Sequence, residues 1–315
     1  MSDLLFAGAG LVLLLVAGDL LVRGAVAISL RLGIPALIVS LTIVAFGTSA
    51  PELLIAIQAA LSGAPGLALG NVIGSNIANV LLVLGVPAVI AGLNTAQCDT
   101  RSSYTQMIGA TVVFIVLLFL GPLKIWHGVV LLTLLAAMIG KAIADARAAR
   151  AADAVALSDE VAAAAEHPLP AWRSLLYLVA GMAGLPLGAD LLVDGARHLA
   201  VDFGVSDEVI GLTLVAIGTS LPELATTVVA ALRKQADVAI GNVIGSNLLN
   251  LLAIMGVTSL FGPLVVDEGL LQVDIWVMLG ASLLLLPFVF MRWNIGRTTG
   301  IVFIFAYSAY MLSLF

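Results

Sequence analysis

The chain carries few charged residues for its length. Asp, Glu, Lys and Arg together make up 10% of 315 residues, whereas roughly a quarter is typical of a soluble domain. Because so few charges cannot cover a water-facing surface of this size, the composition excludes an ordinary soluble enzyme and a disordered protein. The 13 basic residues also exclude the basic field that a nucleic-acid binder needs, so no nucleic-acid partner is expected.

Cysteine and the usual catalytic constellations are missing as well. The single cysteine, Cys98, excludes an intrachain disulfide framework and a cysteine metal cluster. No set of metal-ligating histidines, no Ser/His/Asp arrangement and no nucleotide-binding motif is present. The sequence therefore predicts a protein that is not an enzyme and that needs no cofactor.

Long apolar runs dominate what is present. Hydrophobic residues make up 62% of the chain, and the mean hydropathy is +1.18. A membrane-spanning helix needs about 20 mostly apolar residues, and the runs are too long and continuous for a transmembrane barrel. We predict an all-α polytopic protein of the lipid bilayer with ten transmembrane helices, near 4–30, 36–61, 67–91, 104–121, 126–146, 172–199, 207–232, 238–261, 274–291 and 299–314.

The basic residues predict the orientation of these spans. If the N-terminus lies outside, only Lys124 and Arg197 lie towards the outside, and ten basic residues lie at cytoplasmic ends. These ten are Arg31, Arg101, Lys141, Arg147, Arg150, Arg173, Arg233, Lys234, Arg292 and Arg297. Since Lys and Arg are enriched in cytoplasmic loops, the N-terminus is predicted outside and the connector 147–171 in the cytoplasm.

The chain is an internal duplication with an offset of 171 residues. LTIVAFGTSAPEL at 41–53 corresponds to LTLVAIGTSLPEL at 212–224, and 24 of the 45 positions in 41–85 are identical in 212–256. The halves 1–146 and 172–315 would each hold five spans. Because five is odd, the halves must run in opposite directions through the membrane, an architecture typical of transporters.

Each half places one glutamate inside a span, within GTSAPE at 47–52 and GTSLPE at 218–223. A carboxylate at that depth is costly and indicates function by default, although a protonated Glu bonded to a neighbour is the alternative. Pro51 and Pro222 remove a backbone donor. We therefore expect both helices to break at the midplane, leaving the carbonyls of 45–48 and 216–219 without helix partners.

The polar groups around the two glutamates offer only oxygen. Thr48, Ser49, Thr219 and Ser220 supply hydroxyls, and oxygen ligands favour hard cations such as Ca²⁺ and Na⁺. A second polar stripe follows at helical spacing, with Asn71, Ser75 and Asn79 in one half and Asn242, Ser246 and Asn250 in the other. Two alternatives stay open here: GNVIG is also a close-packing GxxxG pattern, and the Asn and Ser side chains could merely bond neighbouring helices.

With GTSxPE and GNVIGSNxxN occurring twice, the sequence closely resembles the prokaryotic branch of the Na⁺/Ca²⁺ exchanger family, in the calcium/cation antiporter superfamily. The resemblance covers the whole ten-span layout. Proton-coupled relatives typically carry GNxxE in place of GTSxPE. The resemblance also implies that the first and sixth spans slide against the rest to alternate access.

The resemblance implies a role for each motif residue. Glu52 and Glu223 would be central Ca²⁺ ligands, joined by the carbonyls of Thr48 and Thr219. Asn79 and Asn250 would lie at the middle of the site; some relatives have Asp at one of these positions. The flanking Na⁺ sites would use the carbonyls of two alanines and four serine hydroxyls, namely Ala45, Ala216, Ser49, Ser220, Ser75 and Ser246.

The expected function is therefore antiport of Ca²⁺ for Na⁺ by alternating access across a prokaryotic inner membrane. The ions are transported cargo and not cofactors. A Ca²⁺/H⁺ exchanger using the same two glutamates is the nearest alternative, and a cation channel is a more distant one. Sequence alone predicts neither the ion stoichiometry nor the oligomeric state.

Overall fold

A computed structural model describes residues 2–153, 170–202, 216–266 and 269–314. Nearly all of these residues are helical, and the only extended pairings among them are two isolated bridges, Leu93 with Ile295 and Leu123 with Leu264. The predicted all-helical class is confirmed for the described residues. Residues 154–169, most of the predicted connector, lie outside them.

The helices follow the predicted segments closely. The predicted segment 36–61 is split in two, and the described part of 207–232 is split in the same way. In chain order the helices are α1 (Ser2–Leu32), α2 (Ala36–Thr48), α3 (Ala50–Leu61), α4 (Pro65–Ile90), α5 (Arg101–Phe119), α6 (Ile125–Asp153), α7 (Ala171–Asp202), α8 (Ala216–Thr219), α9 (Leu221–Leu232), α10 (Ala236–Thr258), α11 (Leu270–Phe290) and α12 (Arg297–Ser313).

Seven described helices are long and apolar enough to cross a membrane, and an eighth span results if α2 and α3 count as one bent helix. The bend between α2 and α3 is 46°. Of the remaining segments, α9 is an apolar helix of 12 residues and α12 has 17 residues. Together these helices make the chain a polytopic membrane protein.

A seam of small residues joins α1 to α7 in antiparallel fashion. A Cβ added to Gly24 of α1 would lie 2.8 Å from the backbone nitrogen of Leu178, and one added to Gly188 of α7 would lie 2.8 Å from that of Leu14. Close backbone approach through small residues is the usual way in which helices associate in lipid. The two helices therefore form one tightly packed pair.

The helices α4 and α10 are the most buried spans. Each contains one π-helical stretch, Asn79–Val83 in α4 and Asn250–Ile254 in α10. The two stretches begin at corresponding asparagines of the duplicated motifs. Because π turns inside α-helices often occur at functional sites, their matched placement indicates a functional region on these two helices.

The glycines of one GNVIG motif allow close helix packing, as the GxxxG interpretation predicts. A Cβ on Gly241 would lie 2.9 Å from the Leu37 carbonyl oxygen, and one on Gly245 would lie 2.7 Å from the Ala45 Cβ. These contacts press α10 against α2, which carries the first glutamate motif at its end. The corresponding neighbours of Gly70 and Gly74 fall mostly in 203–215, outside the described residues.

Candidate cation site

The predicted helix breaks occur at the same position in both motifs. The α2–α3 break is at Ser49 (φ −87°, ψ 6°) and the α8–α9 break at Ser220 (φ −90°, ψ 4°). Pro51 and Pro222 are each the second residue of the helix that follows, where the missing N–H costs least. The sequence GTSxPE therefore sets nearly the same local backbone twice.

The first break frees three carbonyl groups, one fewer than expected. Because the helix is interrupted at Ser49, the carbonyls of Phe46, Gly47 and Thr48 make no bond four residues ahead. The expectation for Ala45 is wrong. Its carbonyl accepts the Ser49 N–H at 3.0 Å and the Thr48 hydroxyl at 3.2 Å, since the helical ladder continues as far as Ser49.

The two glutamates occupy equivalent places just after the breaks. Glu52 lies in the first turn of α3 and Glu223 in the first turn of α9, and both are fully buried. The start of a helix favours negative charge through its unpaired N–H groups. The hydroxyl of Ser49, three residues before Glu52, reaches Glu223 Oε1 at 3.1 Å, so the structure brings the two glutamate motifs together.

Hydrogen bonds cross between the halves at this point. The Ser49 hydroxyl donates to Glu223 Oε1 at 3.1 Å, and the Ser246 hydroxyl donates to the same oxygen at 3.5 Å. The Thr48 hydroxyl also lies 3.3 Å from Asn242 Oδ1, a second acceptor for the proton that it can donate to the Ala45 carbonyl. The first glutamate motif thus contacts both motifs of the second half through buried polar groups.

Several buried oxygens in this region have no hydrogen-bond partner. Buried polar atoms are almost always bonded in folded proteins, so a group of unpaired oxygens calls for an explanation. They belong to carboxyl, hydroxyl and amide groups of five residues and are Glu52 Oε1 and Oε2, Glu223 Oε2, Ser220 Oγ, Asn79 Oδ1 and Asn250 Oδ1. Oxygen ligands of mixed type suit Ca²⁺, which takes 6–8 of them in flexible geometry.

The other predicted residues lie on the same helices. Ser75 is buried on α4, one turn before Asn79, and Thr219 is half-buried at the end of α8. Ala216 begins α8. The structure therefore places the twelve predicted residues at the two breaks and on the two most buried helices.

The structure also shows polar contacts that the sequence analysis did not predict. Asn242 Nδ2 donates to the Thr227 hydroxyl at 3.2 Å and to the Glu223 carbonyl at 3.4 Å, which holds the first turn of α9 against α10. Asn76 and Asn247 bond to the predicted asparagines. Their recurrence in both halves was the available signal, and it was overlooked because they are offset from the predicted stripe.

A charged group links α1 to the end of α9. Asp19 accepts Arg23 Nε at 2.9 Å from one helical turn further along α1. The guanidinium of Arg233, just after α9, also contacts the Asp19 carboxylate. The second contact joins residues 214 positions apart, and local spacing could not have predicted it.

Comparisons with known proteins agree with this geometry. Residues 2–143 and 173–315 match the family described as "Sodium/calcium exchanger protein". The chain is 37% identical to the putative antiporter CaxA of Alkalimonas amylolytica, over 99% of this chain and 98% of that protein. It is 34% identical to the sodium/calcium exchanger MaX1 of Methanosarcina acetivorans, over 97% and 96% of the two chains.

A solved structure of the sodium-calcium exchanger NCX_Mj superposes on the whole chain. The TM-score is 0.84 at 32% sequence identity, and the alignment covers 100% of this chain and 99% of the other. Fold and sequence therefore lead to one conclusion. The chain belongs to the sodium/calcium exchanger family, in which it is a cation antiporter and not an enzyme.

Proposed function

We propose that this protein exchanges Ca²⁺ for Na⁺ at the site between the two helix breaks. The observation that carries the proposal is the group of unpaired buried oxygens, three of which belong to the carboxyl groups of Glu52 and Glu223. Burying two carboxylates with three of their four oxygens unpaired is costly, and a hard cation offsets that cost by coordinating them. One Ca²⁺ or two Na⁺ would neutralise the same pair of charges, so the two cargoes compete.

The ligand set follows the sequence expectation. Glu52 and Glu223 bind Ca²⁺ centrally with the carbonyls of Thr48 and Thr219 and the amide oxygens of Asn79 and Asn250. The flanking Na⁺ sites use the hydroxyls of Ser49, Ser220, Ser75 and Ser246 and the carbonyls of Ala45 and Ala216. Since the Ala45 carbonyl is bonded to Thr48 in this structure, its part in a Na⁺ site requires the Thr48 hydroxyl to release it.

Charge makes the exchange obligatory. An empty site would hold two uncompensated carboxylates at membrane depth, which opposes reorientation without cargo. The close-packed pair of α1 and α7 is the unit that we propose to slide during alternating access, because its two helices contact each other through their backbones. A channel does not need two buried carboxylates that oppose reorientation without cargo, and its flux would need no counter-ion.

The transport experiment separates Na⁺ coupling from H⁺ coupling. In proteoliposomes, an outward Na⁺ gradient at equal pH on both sides should drive ⁴⁵Ca²⁺ uptake, and collapsing the Na⁺ gradient should stop it. A pH gradient alone should drive little uptake. The opposite result would establish the Ca²⁺/H⁺ alternative, and uptake that needs no counter-ion would establish a channel.

We further propose that the chain has ten spans arranged as two inverted repeats, in a prokaryotic inner membrane, with the N-terminus outside. The offset of 171 residues and the matched breaks at Ser49 and Ser220 support the two-repeat arrangement. In intact cells with a Cys98→Ala background, Ser158→Cys in the connector should resist a membrane-impermeant thiol reagent, and Ser62→Cys should react. Labelling at position 158 would overturn the orientation.

A further inference from the structure

A symmetric network of six buried side chains crosses the interface between the halves. It contains four asparagines from α4 and α10 and one methionine from each of α5 and α11. We call this set the amide relay, and its members are Asn76, Asn79, Asn247, Asn250, Met107 and Met278.

One branch of the amide relay orients Asn79. Asn247 Nδ2 donates to the Asn76 carbonyl at 3.4 Å and lies 3.8 Å from Met107 Sδ. A carbonyl and a thioether can only accept, so this end of the Asn247 amide must be the nitrogen. Its Oδ1 then accepts from Asn79 Nδ2 at 3.0 Å, and the remaining polar atom of Asn79 is its oxygen.

The other branch orients Asn250 with the corresponding asparagine and methionine side chains. Asn76 Nδ2 lies 3.6 Å from Met278 Sδ, and Asn76 Oδ1 accepts from Asn250 Nδ2 at 3.1 Å. Met278 corresponds to Met107 and Asn76 to Asn247 under the offset of 171 residues. The same interaction is therefore built twice, once by each half for the other.

This arrangement determines which end of each terminal amide is left unpaired. The Oδ1 atoms of Asn79 and Asn250 are buried and have no partner among the described residues. An amide turned the other way would present its N–H₂ group, which repels a cation. An Asn side chain without partners can rotate its amide and exchange the positions of the oxygen and the nitrogen. The bonds made by Asn76 and Asn247 are therefore needed to select one orientation.

We propose that Asn76 and Asn247 are positioning residues that hold the amide oxygens of Asn79 and Asn250 towards the bound cation, with Met107 and Met278 as their acceptor-only anchors. The inference rests on the proposed function. It assigns a role to four residues that do not themselves touch the ion. If these asparagines served only helix packing, their loss would lower stability and leave cation affinity unchanged.

The first test removes the sulfur anchors without changing volume. Met107→Leu and Met278→Leu are swaps that cores usually tolerate. Each should weaken Ca²⁺ binding about two- to threefold, since a sulfur acceptor is a weak one. Met255→Leu is the matched control, because Met255 is buried on α10 and makes no such amide contact in the described structure. It should leave the affinity unchanged.

The second test is a double-mutant cycle on the first branch. Asn247→Ala should weaken Ca²⁺ binding about tenfold, the equivalent of one buried hydrogen bond. In an Asn79→Ala background the same change should have almost no further effect, because Asn247 acts through the Asn79 amide. Affinity is measured from the rise in unfolding temperature as Ca²⁺ is added to the purified protein.

The outcomes separate this inference from the proposed function. Additive losses in the cycle, or methionine variants that match the Met255→Leu control, would overturn the positioning role. If Asn247→Ala fails to insert, the Ca²⁺ affinities of the two Met→Leu variants decide whether the positioning role holds. The proposed function fails separately, through normal exchange by Glu52→Gln, whatever the asparagine variants do.

Discussion

The two glutamate motifs are nearly identical in sequence but have different surroundings. Glu223 Oε1 accepts hydroxyl donors from Ser49 and Ser246, whereas both carboxyl oxygens of Glu52 lack partners. The corresponding donor, Ser220, also has an unpaired hydroxyl. The motif therefore supplies the groups, and the packing of the two halves decides which of them are paired in this conformation.

Part of the difference has a cause in the sequence. Asn242 Nδ2 bonds to the Thr227 hydroxyl, but the residue corresponding to Thr227 is Ala56, which has no acceptor. Asn71, the counterpart of Asn242, accordingly has a buried Nδ2 without a partner. The second half thus fixes its glutamate helix to the neighbouring span by a bond that the first half cannot make.

The largest expected effect concerns the carboxylates themselves. Glu52→Gln and Glu223→Gln should each reduce Na⁺-driven Ca²⁺ uptake by at least about 100-fold, since each removes a buried charge needed by the cation. Both proteins should still insert, because Gln keeps the shape. Transport near the parent rate in either variant would remove that glutamate from the site.

The same two variants sharpen the comparison when no cation is present. Glu52→Gln should raise the unfolding temperature by about 2–4 °C more than Glu223→Gln, the equivalent of roughly 1 kcal/mol. Both variants lose the repulsion between the charges and the interaction with their helix start, but only Glu223→Gln also loses charge-assisted bonds from two serines. The measurement is thermal unfolding in detergent with choline as the only added cation.

A serine pair tests the asymmetry more directly. Ser49→Ala should destabilise the cation-free protein by about 1–2 kcal/mol, because it removes a hydrogen bond to a carboxylate. Ser220→Ala, the matched control in the other motif, should change stability by less than about 0.5 kcal/mol, as its hydroxyl has no partner to lose. Equal losses in the two variants would mean that the two motifs are equivalent in solution.

Two neighbouring threonines provide a further matched pair. Thr227→Ala should cost about 1 kcal/mol of unfolding free energy, because it leaves Asn242 without an acceptor. Thr226 is equally buried but its hydroxyl is unpaired, so Thr226→Ala should be close to neutral. Denaturant or thermal unfolding of the two variants side by side makes this comparison, and a reversed order would refute the role of Thr227.

The smallest effect is expected at Arg233, whose counterpart in the first half is Ser62. Arg233→Ser makes the halves alike and removes the contact with Asp19. Because both side chains are about a third exposed, the loss should stay below about 1 kcal/mol. Thermal unfolding of the variant beside the parent makes the measurement, and a loss well above about 1 kcal/mol would contradict the treatment of Asp19 and Arg233 as an exposed pair.

Much of the architecture could be predicted from the sequence because the bilayer restricts the choices. Long apolar runs and two proline-containing motifs predicted the helical class and the two helix breaks, which the described residues confirm. The glutamates as the central pair stay a prediction. The Ala45 carbonyl was predicted wrongly, because proline spacing locates a break only to within a residue. The asparagine positions were predicted, but their partners were not.

The sequence by itself determined which oxygen groups are available and at which residues the helices break, because local backbone chemistry depends on nearby residues alone. Only the tertiary structure decided how these groups are paired: Ser49 with Glu223, Asn247 with Asn79, and Arg233 with Asp19. These contacts join residues 168 to 214 positions apart. Their geometry depends on how the two halves pack against each other, which no local pattern encodes.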